Sequence, residues 1–208
     1  MAIKAVAFDY GKVISLAPAP GTMEKLAALT GLAVETIQDF DRKNRANLLD
    51  RGVCDTREYY YRLFSFAGTA PVEENIDAII RVDIDAWKRT NKDTVDLMRA
   101  VKRLGLKTAI LSNMPQEFLN WARVEIPVFR EVDAAVFSCE LGTVKPEEAI
   151  YQSLAEALGC KYGELVFFDD MEDNIAKAVA LGIHGFVFQG PEAARGELRA
   201  LDPVFASL

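Results

Sequence analysis

The chain has a single histidine, His184, beside Gly185 ahead of the last apolar run, and it reads as structural. Three cysteines (Cys54, Cys139 and Cys160) are odd in number and far apart. They fit neither a metal-ligand nor a redox spacing, and read as reduced thiols of a cytoplasmic protein. No apolar run approaches the ~20 residues of a membrane span. The opening residues run straight into a strand pattern, without a signal-peptide layout. No segment is low in complexity or composed like a disordered tail. Basic charge is also short, with 24 Lys and Arg against 31 Asp and Glu, a net charge of −7. A broad nucleic-acid surface is therefore not expected, which leaves only a local basic patch. No motif speaks to the oligomeric state.

What the chain does have is apolar mass. Half of its 208 residues are hydrophobic, enough for one core domain plus a smaller insert. The periodicity predicts a strand over 4–9, then helices over 23–29, 34–49, 56–68 and 72–87. Four short helices with tight joints suggest an inserted bundle. After Thr90 strand and helix alternate: helix 92–104, strand 107–111, a helix within 115–124, strand 134–138, a helix from Pro146 to Leu158, strand 165–168, helix 172–181 and strand 185–189. Alternation of this length implies a parallel sheet with right-handed crossovers. The expected division is an α/β doubly wound core of residues 1–14 and 91–208, with a helical cap over 15–90.

The polar residues at the strand ends form a set. Asp9 follows the first apolar run and precedes Gly11. Leu165-Val166-Phe167-Phe168 ends in Asp169-Asp170. In open α/β sheets the carboxyl ends of the strands are where ligands bind. Carboxylates brought together there repel unless a cation joins them, and a hard divalent ion such as Mg²⁺ suits oxygen ligands. Ser112, at the end of another strand, offers a hydroxyl. Lys145 brings a fixed positive charge. With a helix N-terminus they suit phosphate oxygens. A carboxylate can attack phosphorus to give an aspartyl-phosphate.

Asp9, Ser112, Lys145-Pro146 and Asp169-Asp170 with Asn174, in this order and each near a strand end, resemble the four motifs of the haloacid dehalogenase (HAD) superfamily of phosphohydrolases. The resemblance covers nearly the whole chain, and the helical insert matches the cap placed after the first motif. It implies a Mg²⁺-dependent phosphatase acting on a small phosphorylated metabolite. Asp9 would be nucleophile and metal ligand, Asp170 a further ligand, and Asp169 a neighbouring or water-mediated one. Lys145, Ser112 and the backbone at Asn113 would hold the transferring phosphoryl. Asn174 would orient the acidic loop.

One departure stands out. The family usually has a second aspartate two residues after the nucleophile, as general acid and base. Here that position is Gly11, whose carbonyl can still ligate Mg²⁺. A branch resembling bacterial sugar-phosphate phosphatases begins the same way, with strand, Asp, any residue, Gly. A proton could come from Lys12 or from a cap residue, and the alternative is a catalytically weakened phosphometabolite-binding protein. In the cap, the 49–53 stretch resembles the family's specificity loop, which makes Arg51 a candidate substrate contact. Arg42-Lys43-Asn44-Arg45 reads as a solvated helix face, the alternative being that one of these meets substrate.

Overall fold

The computed structural model describes residues 2–208. In chain order β1 is Ala5–Phe8, α1 Thr22–Thr30, α2 Val34–Arg45, α3 Thr56–Ala67, α4 Ile76–Ala86, α5 Lys92–Arg103 and β2 Lys107–Ser112. Then follow α6 Gln116–Glu125, α7 Val128–Glu131, β3 Ala134–Phe137, α8 Ser138–Leu141, α9 Glu148–Leu158, β4 Leu165–Asp169, α10 Glu172–Ala180, β5 His184–Val187 and α11 Pro191–Leu201. The strands form one five-stranded sheet in the order β3-β2-β1-β4-β5, with every neighbouring pair parallel. This is the expected α/β doubly wound core.

Successive residues of a strand point to opposite faces, and here they feed two apolar layers. Val6, Phe8, Ile110, Val166 and Phe168 pack on one side with α5, α6 and α11. Ala5, Ala7, Ala109, Leu111, Leu165 and Phe167 pack on the other with α9 and α10. Cover on both faces explains why β1 and β4 read as unbroken apolar runs.

Helices α1–α4 bury a third cluster of their own, including Leu26, Ile37, Phe40, Tyr59, Tyr60, Leu63, Phe64 and Ile79. The chain leaves and re-enters the sheet layer at one place. Leu16 N–H donates to the Arg89 carbonyl and Asn91 N–H to the Ile14 carbonyl, both at 2.8 Å.

Several elements differ from the sequence expectation. The helix expected over 34–49 ends as α2 at Arg45 and widens into one looser turn, Ala46–Asp50. Strand β5 runs His184–Val187 instead of 185–189, pairing from Val166 to Asp169 of β4, and Gly185 lies where α10 presses on the strand. A Cβ there would come within 3.1 Å of Val179 and 3.2 Å of Ile175. The short α7 and α8 and the C-terminal α11 were not anticipated.

Gly52 fixes the approach of the α2–α3 connection to the sheet layer. Its φ is +77°, and a Cβ would lie 2.7 Å from the Cys139 carbonyl oxygen. Gly31 has a similar φ of +70° in open space. Gly31→Ala is therefore expected to cost about 1–2 kcal/mol, the left-handed penalty alone. Gly52→Ala is expected to cost at least about 1 kcal/mol more, from the added steric clash. Urea denaturation of both variants measures the difference, and equal costs would contradict the close approach.

Candidate active site

Asp9 follows β1 directly, and its N–H donates to the Phe168 carbonyl of β4 at 2.8 Å. Since β1 lies between β2 and β4, the residues after these three strands arrive side by side. Asp9, Asp169 and Asp170 offer carboxylate oxygens all within 4.8 Å of one another. Lys145 comes from the loop ahead of α9. Its ammonium is 2.8 Å from Asp9 Oδ1 and 2.6 Å from Asp169 Oδ2.

This cluster is nearly dry. Asp9 is 7% exposed, Lys145 4% and Asp169 0%. Burial raises the Asp9 carboxyl, and the Asp169 charge adds to that, while Lys145 and the Ser112 hydroxyl oppose it. Burial likewise works against the Lys145 charge, but Asp9 and Asp169 outweigh it and leave its pKa above the ordinary lysine value.

The two neighbouring aspartates have different surroundings. Asp169 is saturated: Met171 N–H reaches Oδ1 at 2.8 Å, and Asn174 Nδ2 donates to both oxygens at 3.0 Å. Asn174 thus holds the acidic loop in shape. Asp170 instead faces the cavity, with Oδ2 paired to Lys12 Nζ at 2.9 Å. The Asn113 side chain clamps Lys145, accepting from its N–H at 2.8 Å and donating to its carbonyl at 3.1 Å. Ser112 is buried at the end of β2.

Asp9, Gly11, Ser112, Asn113 and Asp170 line one cavity of about 210 Å³. Its other walls come from α2, α4, the start of α3 and the turns beside them, and include Arg45, Asp50, Thr56, Asp83 and Trp87. Four carboxylates (Asp9, Asp50, Asp83, Asp170) face two cations, Lys12 and Arg45. The excess is negative. Asp9 Oδ1 is buried against the Lys145 ammonium, 2.8 Å away. A crowded set of hard oxygen donors with an excess of negative charge fits a divalent cation.

Arg51 is not where the cap-loop resemblance puts it. Its guanidinium forks onto Glu147, at 2.5 and 3.1 Å, and onto the Gly142 carbonyl at 3.0 Å, away from the cavity lining. The pair holds the Glu147 carboxyl down at about 2. Arg45 is the arginine that faces the cavity, bonded to both oxygens of Asp83 at 3.1 and 3.2 Å. Arg42 and Lys43 pair with Asp39 on the solvated face. Asp50, Asp83, Thr56 and Trp87 were missed by sequence reasoning. Only Asp50 had a signal, its place beside Arg51.

Replacing Lys145 by Met would strand two buried carboxylates, at a cost of about 3–5 kcal/mol at neutral pH. The pH dependence has a definite sign. A carboxyl whose folded pKa is raised above 3.8 contributes stability in its protonated form, full below that value and lost as pH rises through the folded value. Without Lys145, burial and Asp169 still raise Asp9. Urea melts of metal-free Lys145→Met are thus expected to show stability falling as pH rises above about 4, more steeply than wild type. A flat profile would contradict the buried triad.

A family model described as "Hydrolase: haloacid dehalogenase-like hydrolase" matches residues 3–182. Phosphatase MT3486 of Mycobacterium tuberculosis (strain CDC 1551 / Oshkosh) is 26% identical over 212 residues, covering 100% of this chain and 98% of the relative. Bifunctional epoxide hydrolase 2 of Mus musculus is 26% identical over 219 residues, covering 95% of this chain but only 38% of that longer protein. Among solved structures, the HAD family enzyme bt-2542 of Bacteroides thetaiotaomicron, in complex with magnesium and inorganic phosphate, gives a TM-score of 0.72 at 20% identity over 89% of this chain and 93% of that one. A predicted HAD-like family hydrolase from Porphyromonas gingivalis gives 0.75 at 22% identity over 96% and 99%. The structural likenesses speak to the fold, while the family model spans β1 to β4 and every residue of the acidic cluster. The chain belongs to the haloacid dehalogenase-like hydrolases.

Proposed function

We propose that the protein is a Mg²⁺-dependent phosphatase of small phosphomonoesters, sugar phosphates being the class its first motif favours. The observation that carries this reading is the cluster of buried Asp9 and Asp169 and cavity-facing Asp170, with Lys145 between the first two. The full-length likeness to a protein named as a phosphatase supports it, as does the magnesium and phosphate complex of a structural relative. In this reading residues 15–90 act as a cap over a core of residues 1–14 and 91–208.

Asp9, Asp170 and the Gly11 carbonyl would hold the cation, with Asp169 behind them. When bound, Mg²⁺ would offset the negative excess of the cavity and polarise the phosphoryl group. Asp9 attacks phosphorus, forming the aspartyl-phosphate as the ester oxygen leaves. Lys145 stays against Asp9 and lowers the repulsion between its carboxylate and the incoming anion. Ser112 Oγ–H and the Asn113 backbone N–H donate to phosphoryl oxygens. Dehalogenation of a 2-haloacid needs no metal, and the negative excess of the cavity would then stay unbalanced, which favours the phosphomonoester reading.

Phosphate release from p-nitrophenyl phosphate is expected with Mg²⁺ and not with EDTA. Asp9→Asn is expected to lose at least about a thousandfold in kcat. No release in either condition, together with no binding of fluoroberyllate, would remove the reading. Gly11 motivates a second one, a phosphometabolite-binding protein without turnover. It predicts ligand binding that survives Asp9→Asn and an inert wild type.

A further inference from the structure

Gly11 leaves the expected proton donor missing, and the cavity offers few substitutes. His184 is remote from it, its ring nitrogen 3.3 Å from the Gly163 carbonyl. The Tyr10 hydroxyl donates to the Trp87 carbonyl at 2.7 Å. Lys12 is paired with Asp170, and Asp83 with Arg45. One carboxyl in the lining is left over, that of Asp50.

Three consecutive residues dock this part of the cap on the sheet layer. Ser138 Oγ donates to the Asp50 carbonyl and accepts from Met114 N–H at 3.0 Å, two residues beyond Ser112. Arg51 grips Glu147, and Gly52 lies against Cys139. The Asp50 main chain is thereby fixed beside the strand end that carries Ser112, while its side chain lines the same cavity as Asp9. That side chain is 13% exposed, and Arg45 Nε is 3.7 Å from it, too far for a hydrogen bond. Among the described residues it makes none.

Building on the phosphatase reading above, we propose that Asp50 is the general acid and base of the reaction, supplied by the cap in place of a residue at position 11. In the first step the protonated carboxyl gives its proton to the ester oxygen as the P–O bond to the leaving group breaks and the Asp9–phosphorus bond forms. In the second, the Asp50 carboxylate takes a proton from water as that water attacks phosphorus. Phosphate leaves, the Asp9 carboxylate is restored, and Asp50 is protonated for the next turnover.

The surroundings tune the group for both tasks. Burial pushes the Asp50 carboxyl up to about 6; Arg45 of α2 and Lys145 of the core oppose, while Asp83 of α4 and Asp41 of α2 add to the rise. A pKa near neutrality suits a group that must give and take a proton in one cycle.

The test compares p-nitrophenyl phosphate, whose leaving group needs no proton, with glycerol 2-phosphate, whose alkoxide does. In Asp50→Asn, kcat/KM for the alkyl ester is expected to fall about 10²–10⁴-fold while that for the aryl ester stays within about threefold. The aryl ester should also show a burst of about one nitrophenolate per site before a slow steady state. In the wild type, kcat/KM for the alkyl ester alone should decline above about pH 6. Asp83→Asn removes a charge that raises Asp50 and frees Arg45 toward it, so this limb should move to lower pH. Equal losses on the two esters, an unmoved limb, or a wild type that cleaves only the aryl ester would overturn the role of Asp50 and leave Asp9 as nucleophile. A wild type inert on both would overturn the phosphatase reading itself.

Discussion

The ammonium of Lys145 stands between carboxylates at the ends of two adjacent strands, and the rest of the site depends on that contact. Asp9 and Asp169 lie in a nearly waterless place, where two like charges within 4.8 Å of each other would drive one of them neutral. The lysine makes a charged Asp9 tolerable there. Its own position is enforced from both sides: Asn113 clamps its main chain and Asp169 takes its side chain. Asp169 is held in turn by Asn174. Residues from three strand ends and two helix starts thus form one hydrogen-bonded unit, and the parallel sheet brings them together.

That unit also divides the labour between the two neighbouring aspartates. Every oxygen of Asp169 already has a protein donor, so its role is support. Asp170, one residue on, has rotated out of the strand's buried row and faces the cavity. The chain bends directly after β4 ends at Asp169, so of this Asp-Asp pair one carboxylate joins the hydrogen-bonded frame and the other lines the cavity.

The legible parts of the sequence were those with a local physical signature. Strands β1, β2 and β4 announce themselves as short apolar runs, and Asp9, Ser112 and Asp169-Asp170 are legible because each ends such a run. The cap was legible as helices but not as a surface. Whether Arg45 or Arg51 faces the cavity depends on how α2 ends. The α-helix opens into a wider turn at Ala46–Asp50, which shifts the phase of the following residues. Regular helical periodicity carried on to Leu49 cannot foresee that shift, and the loop resemblance that singles out Arg51 carries no information on which side chain of the 49–53 stretch faces inward. Likewise α11 lies beyond the last motif and is fixed by burial of Ala194 and Leu198 against the sheet, a tertiary cause.

The contacts that dock the cap loop differ in kind from those inside the cap. Arg51 with Glu147 is a partly exposed pair, of a type worth about 0–1 kcal/mol and weakened by salt. Ser138 with the Asp50 carbonyl is one hydrogen bond, of net worth about 1 kcal/mol. Helices α1–α4 by contrast bury many aromatic and aliphatic side chains among themselves, each worth about 1.5–3 kcal/mol. Any separation of the cap from the core would therefore leave the cap intact and turn about the single antiparallel bridge between Ser15 and Thr90. Such a motion would carry Asp50 away from Asp9 as one rigid piece. In the reading proposed above, proton transfer would then belong to the docked state alone, with the Asp9–Lys145 pair remaining assembled in the core throughout.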